Sequence, residues 1–297
     1  MENFPPATRA LVGAMTEAAV ADPARAISFQ GAPGANSHIA VTEHFPDALP
    51  LPCFSFEDAL DAVIEGRVGR AMIPIENSLH GRVADIHFLL PESRLAIVAE
   101  HFLRIRHCLL GFAGEAIEQA MSHPQALGQC RKWLRARGIQ PVAYADTAAA
   151  AGLIADRTHP HVAAIAPRLA AGIYGLDLLA EDIGDADDNT TRFVVLSRAA
   201  EAPPAGVPAM TTFTFAVKNV PAALYKAMGG FATNGVNITK LESYQRGTSF
   251  AATEFYADLE GRPEDENVAR ALHELEFHSK WVRVIGVYPQ ARPRMEA

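Results

Sequence analysis

The chain has 297 residues, of which 49% are hydrophobic and 20% are charged, and its formal net charge is −8. This length suggests two domains, and the hydrophobic fraction is large enough to fill their cores. The negative charge argues against nucleic acid and anionic membranes as partners, because proteins that bind them are normally basic.

The first 25 residues are interpreted as an N-terminal extension with a short helix at 7–20. Glu2, Glu17 and Asp22 interrupt its apolar stretch, so a signal peptide is not expected. No run of about 18 apolar residues occurs, and no transmembrane helix is expected. The three cysteines form no CxxC pair, which argues against a disulfide framework and a zinc site. Together these features favour a reduced, cytoplasmic compartment.

Strands alternate with helices from residue 26 to residue 198, which predicts an α/β domain with mostly parallel pairing. Strands are expected at 26–30 and 70–75, and a single helix is expected at 126–138. A stretch rich in Pro, Ala and Gly at 199–210 is interpreted as a linker.

The tail at 211–290 has its own pattern. Strand-like and helix-like segments follow one another in the order βαββαβ, which is a ferredoxin-like layout. The two central strands are predicted at 237–247 and 249–261 as a hairpin-like pair. This segment is therefore expected to fold as a second, separate domain.

Four polar turns follow predicted strands or precede the next one in the α/β region. Ligands of such folds bind beyond the carboxyl ends of parallel strands, although each turn alone is also compatible with an ordinary capped loop. Together they describe a donor-rich site with few charges, which suits a small organic acid. GxGxxG, HExxH and P-loop motifs are missing, and no metal ligands are expected. The turns are GAPGANS at 31–37, Glu76-Asn77-Ser78, Ser122-His123-Pro124-Gln125 and Asn189-Thr190-Thr191-Arg192-Phe193.

These motifs, in this order and spacing, resemble the prephenate dehydratase family. The resemblance covers about residues 27–198, and the tail resembles the ACT regulatory domain that usually follows. The matching residues are Pro74-Ile75-Glu76-Asn77-Ser78 with Gly81, His107-Cys108-Leu109-Leu110, Ser122-His123-Pro124-Gln125-Ala126-Leu127 with Gln129-Cys130, Asp146-Thr147-Ala148-Ala149-Ala150, and Asn189 with Thr191-Arg192-Phe193.

The resemblance implies a two-lobed catalytic domain built like a periplasmic binding protein, followed by a ferredoxin-like ACT domain. Lobe one would hold about 26–103 and 189–198, lobe two about 104–188, and the site would lie between them. Catalytic residues carry over as Asn77, Ser122, Gln129 and Thr191. The substrate-binding candidates are Asn36, Ser37, Glu76, Ser78, His123, Arg192 and Phe193. The family's first loop usually ends Gly-Thr-Phe-Ser, whereas this one reads Gly34-Ala35-Asn36-Ser37, and Asn36 offers a donor in place of the missing Thr hydroxyl.

The implied reaction is the decarboxylating dehydration of prephenate to phenylpyruvate. The substrate ring accepts the electrons released by decarboxylation, so no cofactor is expected. Thr191 is expected to assist the departing hydroxyl, and either His123 or Glu76 would supply the proton. Two alternatives stay open: an arogenate dehydratase, and a small-molecule-binding protein without turnover.

The resemblance also implies feedback inhibition by L-phenylalanine and assembly into a homodimer or homotetramer. The departures from the family are Tyr244 and Gln245, which replace Arg and Pro, and Ala222, which stands where Gly is usual. The effector-binding candidates are Asn219, Val220, Pro221, Ala222, Ala223, Leu224, Leu241, Glu242 and Ser243.

Overall fold

The structure is a computed structural model, and it describes residues 4–83, 86–245 and 254–294. The chain divides into two compact units, one formed by Met1–Ile86 with His101–Phe193 and the other by His87–Glu100 with Val194–Ala297. No helix in these described ranges is long and apolar enough to cross a membrane.

The first lobe of the first unit is built on the parallel strands β1, β2 and β3, next to which lies β11, whose residues from Val194 onward belong to the second unit. Strand β1 pairs in parallel with both β2 and β3, in the sheet order β2-β1-β3-β11. The short strand β4 pairs antiparallel with the end of β3. The elements are α1 (Pro6–Ala21), β1 (Ala26–Gln30), α2 (Asn36–His44), β2 (Leu49–Cys53), α3 (Phe56–Ile64), β3 (Arg70–Asn77), β4 (Gly81–Arg82) and β11 (Thr190–Ser197).

The second lobe of the first unit has a five-stranded sheet in the order β10-β6-β9-β7-β8. Strand β7 is parallel to β8 and β9, whereas β6 is antiparallel to β9 and β10. The elements are β6 (Cys108–Gly111), β7 (Gln119–Ser122), α5 (Pro124–Gln129), α6 (Arg131–Arg137), β8 (Gln140–Ala143), α7 (Thr147–Ala155), β9 (Val162–Ala166), α8 (Arg168–Tyr174) and β10 (Asp177–Ala180).

The single helix expected at 126–138 is wrong, because the chain breaks into α5 and α6 at Cys130, whose backbone leaves the helical conformation (φ −113°, ψ 14°). Asp185 occupies the break. Its backbone N–H donates to the carbonyl of Gln129 at 2.6 Å, and its carboxylate accepts from the N–H of Lys132. A residue distant in sequence therefore satisfies the backbone groups that a continuous helix would have paired internally.

The second unit contains the predicted βαββαβ order. Its sheet runs β13-β14-β12-β15 with antiparallel pairing, and β15 meets β5 in parallel at Gly286 and Ile97. The turn predicted near residue 248, with the adjoining ends of the two predicted strands, falls within 246–253, outside the described residues. The elements are α4 (Ile86–Ser93), β5 (Ala96–Arg104), β12 (Ala209–Val217), α9 (Ala223–Thr233), β13 (Ile238–Tyr244), β14 (Glu254–Glu260), α10 (Glu266–His278) and β15 (Ser279–Pro289).

Helix α4 was not expected from the sequence, and it belongs to the second unit. The rings of His87 and Phe88 lie 6.1 and 5.5 Å from the ring of Tyr244 on β13. Tyr244 is buried there. The tyrosine that replaces the family's arginine therefore packs against a segment that precedes it by more than a hundred residues.

Candidate active site

A cavity of about 470 Å³ lies in the first unit and is lined by both of its lobes. We call it the cleft. The first lobe contributes the start of α2 and the end of β3, and the second lobe contributes the start and end of α5. Among the predicted site residues, those that line it are Asn36, Ser37, Asn77, His123, Gln129, Thr191 and Phe193.

The hydroxyl of Thr191 is oriented by the side chain of Asn77. The amide nitrogen of Asn77 donates to Thr191 Oγ1 at 2.9 Å and to Asn189 Oδ1 at 2.7 Å. Its amide oxygen accepts from the backbone N–H groups of Leu79 and His80 at 3.0 and 3.1 Å. Because both ends of the Asn77 amide are engaged, its geometry suits positioning rather than substrate contact.

Thr191 itself keeps one hydrogen-bonding capacity. Its oxygen accepts from Asn77, and the described residues offer its hydrogen no acceptor. A hydroxyl whose oxygen already accepts a hydrogen bond is a better donor through its own hydrogen. Thr191 is 9% exposed and lines the cleft. This arrangement places a polarised O–H donor inside the cavity.

A second chain of hydrogen bonds connects the two lobes. The amide nitrogen of Asn189 donates to Gln129 Oε1 at 3.0 Å, and His107 Nε2 lies 2.5 Å from the same oxygen. Since that oxygen can only accept, His107 carries its hydrogen on Nε2. The amide nitrogen of Gln129 then has no acceptor among the described residues, which leaves it as a donor toward the cleft.

Burial shifts the pKa of two groups beside this network. Burial lowers the pKa of His107, the hydrogen bond to Gln129 opposes that shift, and nearby His80 adds to it. Burial raises the pKa of Asp146, although backbone N–H groups of Ala149 and Ala32 favour its charged form. A neutral His107 is consistent with its role as a hydrogen-bond donor to an amide oxygen.

Two predicted substrate ligands, Arg192 and Glu76, are not among the residues that line the cleft. Thr191 and Phe193 face the cavity from β11, so Arg192 between them points to the opposite side. There its guanidinium pairs with Glu76 at 2.8 Å, and Glu76, next to Asn77 on β3, is not among the residues that line the cleft. The expectation that Arg192 and Glu76 bind the substrate stays a prediction, and the ion pair between them is their contact in this structure.

Two predicted hydroxyls also serve the backbone. Ser122 is fully buried at the end of β7 and donates to the carbonyl of Ile165 at 2.6 Å. Ser78 donates to the carbonyl of Asp188 at 3.1 Å and accepts from the N–H of Thr190 at 2.9 Å. Neither lies among the residues that line the cleft. Their contacts are those of structural residues that hold the lining in place.

The sequence analysis assigned no role to four residues that the structure places at the site. Asn189 and His107 stand inside the quoted motifs, but only the fold shows that they meet Gln129. Asp146 and Arg82 line the cleft as well. A charged residue directly after the Gly81 turn was the available signal for Arg82, since an arginine suits a carboxylate ligand.

The predicted effector residues lie in the second unit around the start of α9 and along β13. Ala222 precedes α9 in the left-handed region, with φ +60°. This is the conformation in which glycine costs least, which explains the usual residue at this position. Val220 and Leu241 are 54% and 42% exposed, so both apolar side chains are accessible to a ligand.

Comparisons with known proteins agree with one another. The prephenate dehydratase family model matches residues 27–201. A "Bifunctional N-acyl-homoserine lactone acylase/prephenate dehydratase" of Komagataeibacter europaeus is 48% identical over 269 residues, covering 89% of this chain and 96% of that protein. "Arogenate dehydratase/prephenate dehydratase 1, chloroplastic" of Arabidopsis thaliana is 39% identical over 280 residues, covering 89% and 71%. The solved prephenate dehydratase of Arthrobacter aurescens in complex with L-Phe superposes with a TM-score of 0.82 at 32% identity, covering 92% and 93%.

Proposed function

The chain belongs to the prephenate dehydratase family, and from that premise we propose that it converts prephenate to phenylpyruvate in phenylalanine biosynthesis. One structural observation supports this activity most directly. The hydroxyl of Thr191 is held by Asn77 with its hydrogen free to donate into a cleft between two lobes. The leaving group of this reaction is a hydroxyl, which is the kind of group that such a donor assists.

The reaction needs one proton and no external electron acceptor. The bond from the ring to the carboxylate breaks, and its electron pair enters the ring. On the opposite side of the ring, the C–O bond to the hydroxyl breaks, and the ring becomes aromatic. With one added proton the products are carbon dioxide, water and phenylpyruvate. The protein must therefore orient the dianion and assist departure of the hydroxyl.

The cleft residues take distinct roles in this proposal. Thr191 donates a hydrogen bond to the leaving oxygen, and Asn77 positions Thr191. Asn36 and Ser37, at the start of α2, hold one carboxylate where helix N–H groups favour an anion. Gln129 and Arg82 offer donors to the second carboxylate and the keto group.

His123 is the proposed proton source. It lines the cleft, and the neutral ring accepts from the N–H of Gln125 at 3.3 Å through Nδ1. To supply the proton the ring must first become the imidazolium, which gives up this contact at Nδ1 and donates to the substrate from Nε2. Glu76, the other candidate, is instead engaged by Arg192. A His123→Gln enzyme is expected to lose kcat while KM changes little, because the proton rather than the binding contact is removed.

A direct assay decides the activity. Purified protein is incubated with prephenate, and the ultraviolet absorbance of phenylpyruvate is followed. Arogenate is tested in parallel by measuring phenylalanine, since the Arabidopsis relative carries both names. A higher kcat/KM on prephenate than on arogenate supports the proposal. A higher value on arogenate would identify the protein as an arogenate dehydratase. Binding of either compound without turnover would identify it as a small-molecule-binding protein.

The acylase activity in the printed name of the Komagataeibacter protein is not part of the proposal. Acyl transfer commonly uses a hydroxyl activated by a neighbouring base. In the described cleft no serine or threonine hydroxyl is hydrogen-bonded to an imidazole, and Ser122 donates to the carbonyl of Ile165.

The domain assignment is likewise proposed. Residues 26–198 would form the catalytic domain, of which 87–100 and 194–198 belong to the second compact unit. Residues 199–210 would be the linker and 211–290 an ACT domain that binds L-phenylalanine and forms a homodimer or homotetramer. The Arthrobacter relative, solved in complex with L-Phe, supports the effector. A cytoplasmic location is supported by three buried free thiols. Burial raises the pKa of Cys53 and of Cys130 to about 12, so both stay protonated and unreactive.

A further inference from the structure

Helix α1 precedes the segment matched by the family model, which begins at residue 27. It packs against β2 of the first lobe and against α7 of the second. The ring of Phe4, just before α1, meets Phe54 after β2 edge-on, with ring centroids 5.9 Å apart. Phe4 and Val12 also join the buried cluster that includes Ala148–Ala151 of α7. Helix α1 therefore contacts both lobes of the first unit.

The contact with α7 depends on a glycine. A Cβ built on Gly152 would lie 2.3 Å from Thr8 Oγ1 and 3.2 Å from the ring of Tyr174. Thr8 is fully buried, and its hydroxyl lies 3.5 Å from the hydroxyl of Tyr174. Gly152 thus allows Thr8 of α1 to lie close to α7 and to Tyr174.

Tyr174 continues this contact to the loop at 31–35. Its hydroxyl donates to the carbonyl of Pro33 at 2.9 Å. The same loop is held at two further points of the second lobe. Asp146 accepts from the N–H of Ala32, and a Cβ on Gly34 would lie 2.9 Å from the Cα of Ala170. The loop is part of the first lobe in sequence, but these contacts with Tyr174, Asp146 and Ala170 hold it against the second lobe.

The loop ends at the start of α2, where Asn36 and Ser37 line the cleft. We propose that α1 is an internal strap which, through Thr8 and Tyr174, holds loop 31–35 on the second lobe and so fixes the substrate-binding end of α2. Tyr174 is in this view a positioning residue that never touches the substrate. The consequence for substrate binding rests on the proposed function, whereas the strap itself does not.

Hydrogen exchange tests the strap without any substrate. In Tyr174→Phe, the amides of the loop should exchange about 3–10 times faster than in the wild type, since one hydrogen bond is lost. Gly152→Ala should act in the same way by pushing α1 outward, and Thr8→Ala should also speed exchange, since it removes the hydroxyl through which α1 contacts Tyr174. Thr16→Val is the matched control, because Thr16 bonds only to the carbonyl of Val12 within α1. Unchanged loop exchange in Tyr174→Phe overturns the strap, whether or not Gly152→Ala folds.

Steady-state kinetics test whether this contact positions the substrate-binding end of α2. Tyr174→Phe should raise KM for prephenate by about 3–10-fold and leave kcat within about twofold, since uniform binding is weakened. A fall in kcat at unchanged KM, or no change in either, overturns the positioning role. If the wild type does not convert prephenate, the proposed function fails, and the exchange result still decides the strap.

Discussion

Asn77 and Thr191, 114 positions apart in the chain, meet through a hydrogen bond of 2.9 Å between the amide nitrogen and the hydroxyl oxygen. The bond joins the ends of two neighbouring strands, β3 and β11, and points the remaining hydroxyl hydrogen away from Asn77. Two of the four predicted turns are thereby combined into one donor. The assignments of Thr191 as the catalytic group and Asn77 as the positioning group can be tested separately.

Replacing Thr191 should reduce kcat. Thr191→Ala removes the proposed donor to the leaving hydroxyl, and we expect kcat to fall by about 10²–10⁴-fold. Thr191→Ser keeps a hydroxyl within reach of Asn77 and should retain much more activity. Steady-state rates of phenylpyruvate formation measure both. A Thr191→Ala enzyme with near-normal kcat would remove this residue from the mechanism.

Replacing Asn77 should act through Thr191. Asn77→Ala leaves the hydroxyl unoriented, and we expect kcat to fall by about 10-fold or more. The informative measurement is the double variant with Thr191→Ala. If Asn77 serves only to position Thr191, the double variant is no slower than Thr191→Ala alone. Additive losses would instead assign Asn77 an independent contact with the substrate.

The sequence predicted more of the fold than of the side-chain directions. The βαββαβ order of the tail followed from short-range periodicity. The parallel-strand rule applies to the turns after β1, β3 and β7, whereas the fourth turn precedes β11. The directions of the Glu76 and Arg192 side chains could not be predicted. Alternation along a strand separates its side chains into two faces, but it does not say which face borders the cleft. The break at Cys130 depends on Asp185, whose carboxylate bonds to Lys132 across 53 positions, and local sequence carries no sign of it.

Stability should depend on pH through His38. Its imidazole stacks on Phe29 with ring centroids 5.3 Å apart, and its Nδ1 accepts from the N–H of Gly34 at 3.0 Å. Burial lowers its pKa from 6.5 to about 4. Between these two values the unfolded chain binds a proton that the folded chain does not, so stability falls as the pH drops from 6.5 toward 4.

Urea titrations at pH 7 and at pH 4.5 measure this effect. We expect about 2 kcal/mol of the wild-type loss in unfolding free energy between these pH values to come from His38. His38→Gln, which cannot take up the proton, should lose that much less over the same interval. Equal losses in both proteins would show that His38 is protonated in the folded state without penalty.

Activity should not require a metal ion. No group of three or more His, Cys, Asp or Glu side chains within the described ranges could hold one. The proposed reaction also uses the substrate ring as its electron acceptor. We expect kcat/KM to be unchanged after extensive dialysis against a chelator. Loss of activity that a single divalent ion restores would contradict this prediction and point to a site formed by other residues.

Inhibition by L-phenylalanine should depend on exposed apolar side chains of the second unit. Val220 stands in the loop before α9 and is 54% exposed, so its replacement should not disturb the fold. Val220→Asp puts a carboxylate where the proposal places the effector, and repulsion and desolvation should weaken binding. We expect loss of both inhibition and calorimetric binding of phenylalanine, with kcat on prephenate within about twofold of the wild type.

Ile64→Asp, at a 46% exposed apolar position at the end of α3, is the matched control and should keep full inhibition. Phenylalanine binding that survives in Val220→Asp would move the effector away from this loop. A wild-type enzyme that shows neither inhibition nor binding heat at millimolar phenylalanine would leave the tail with an assembly role alone.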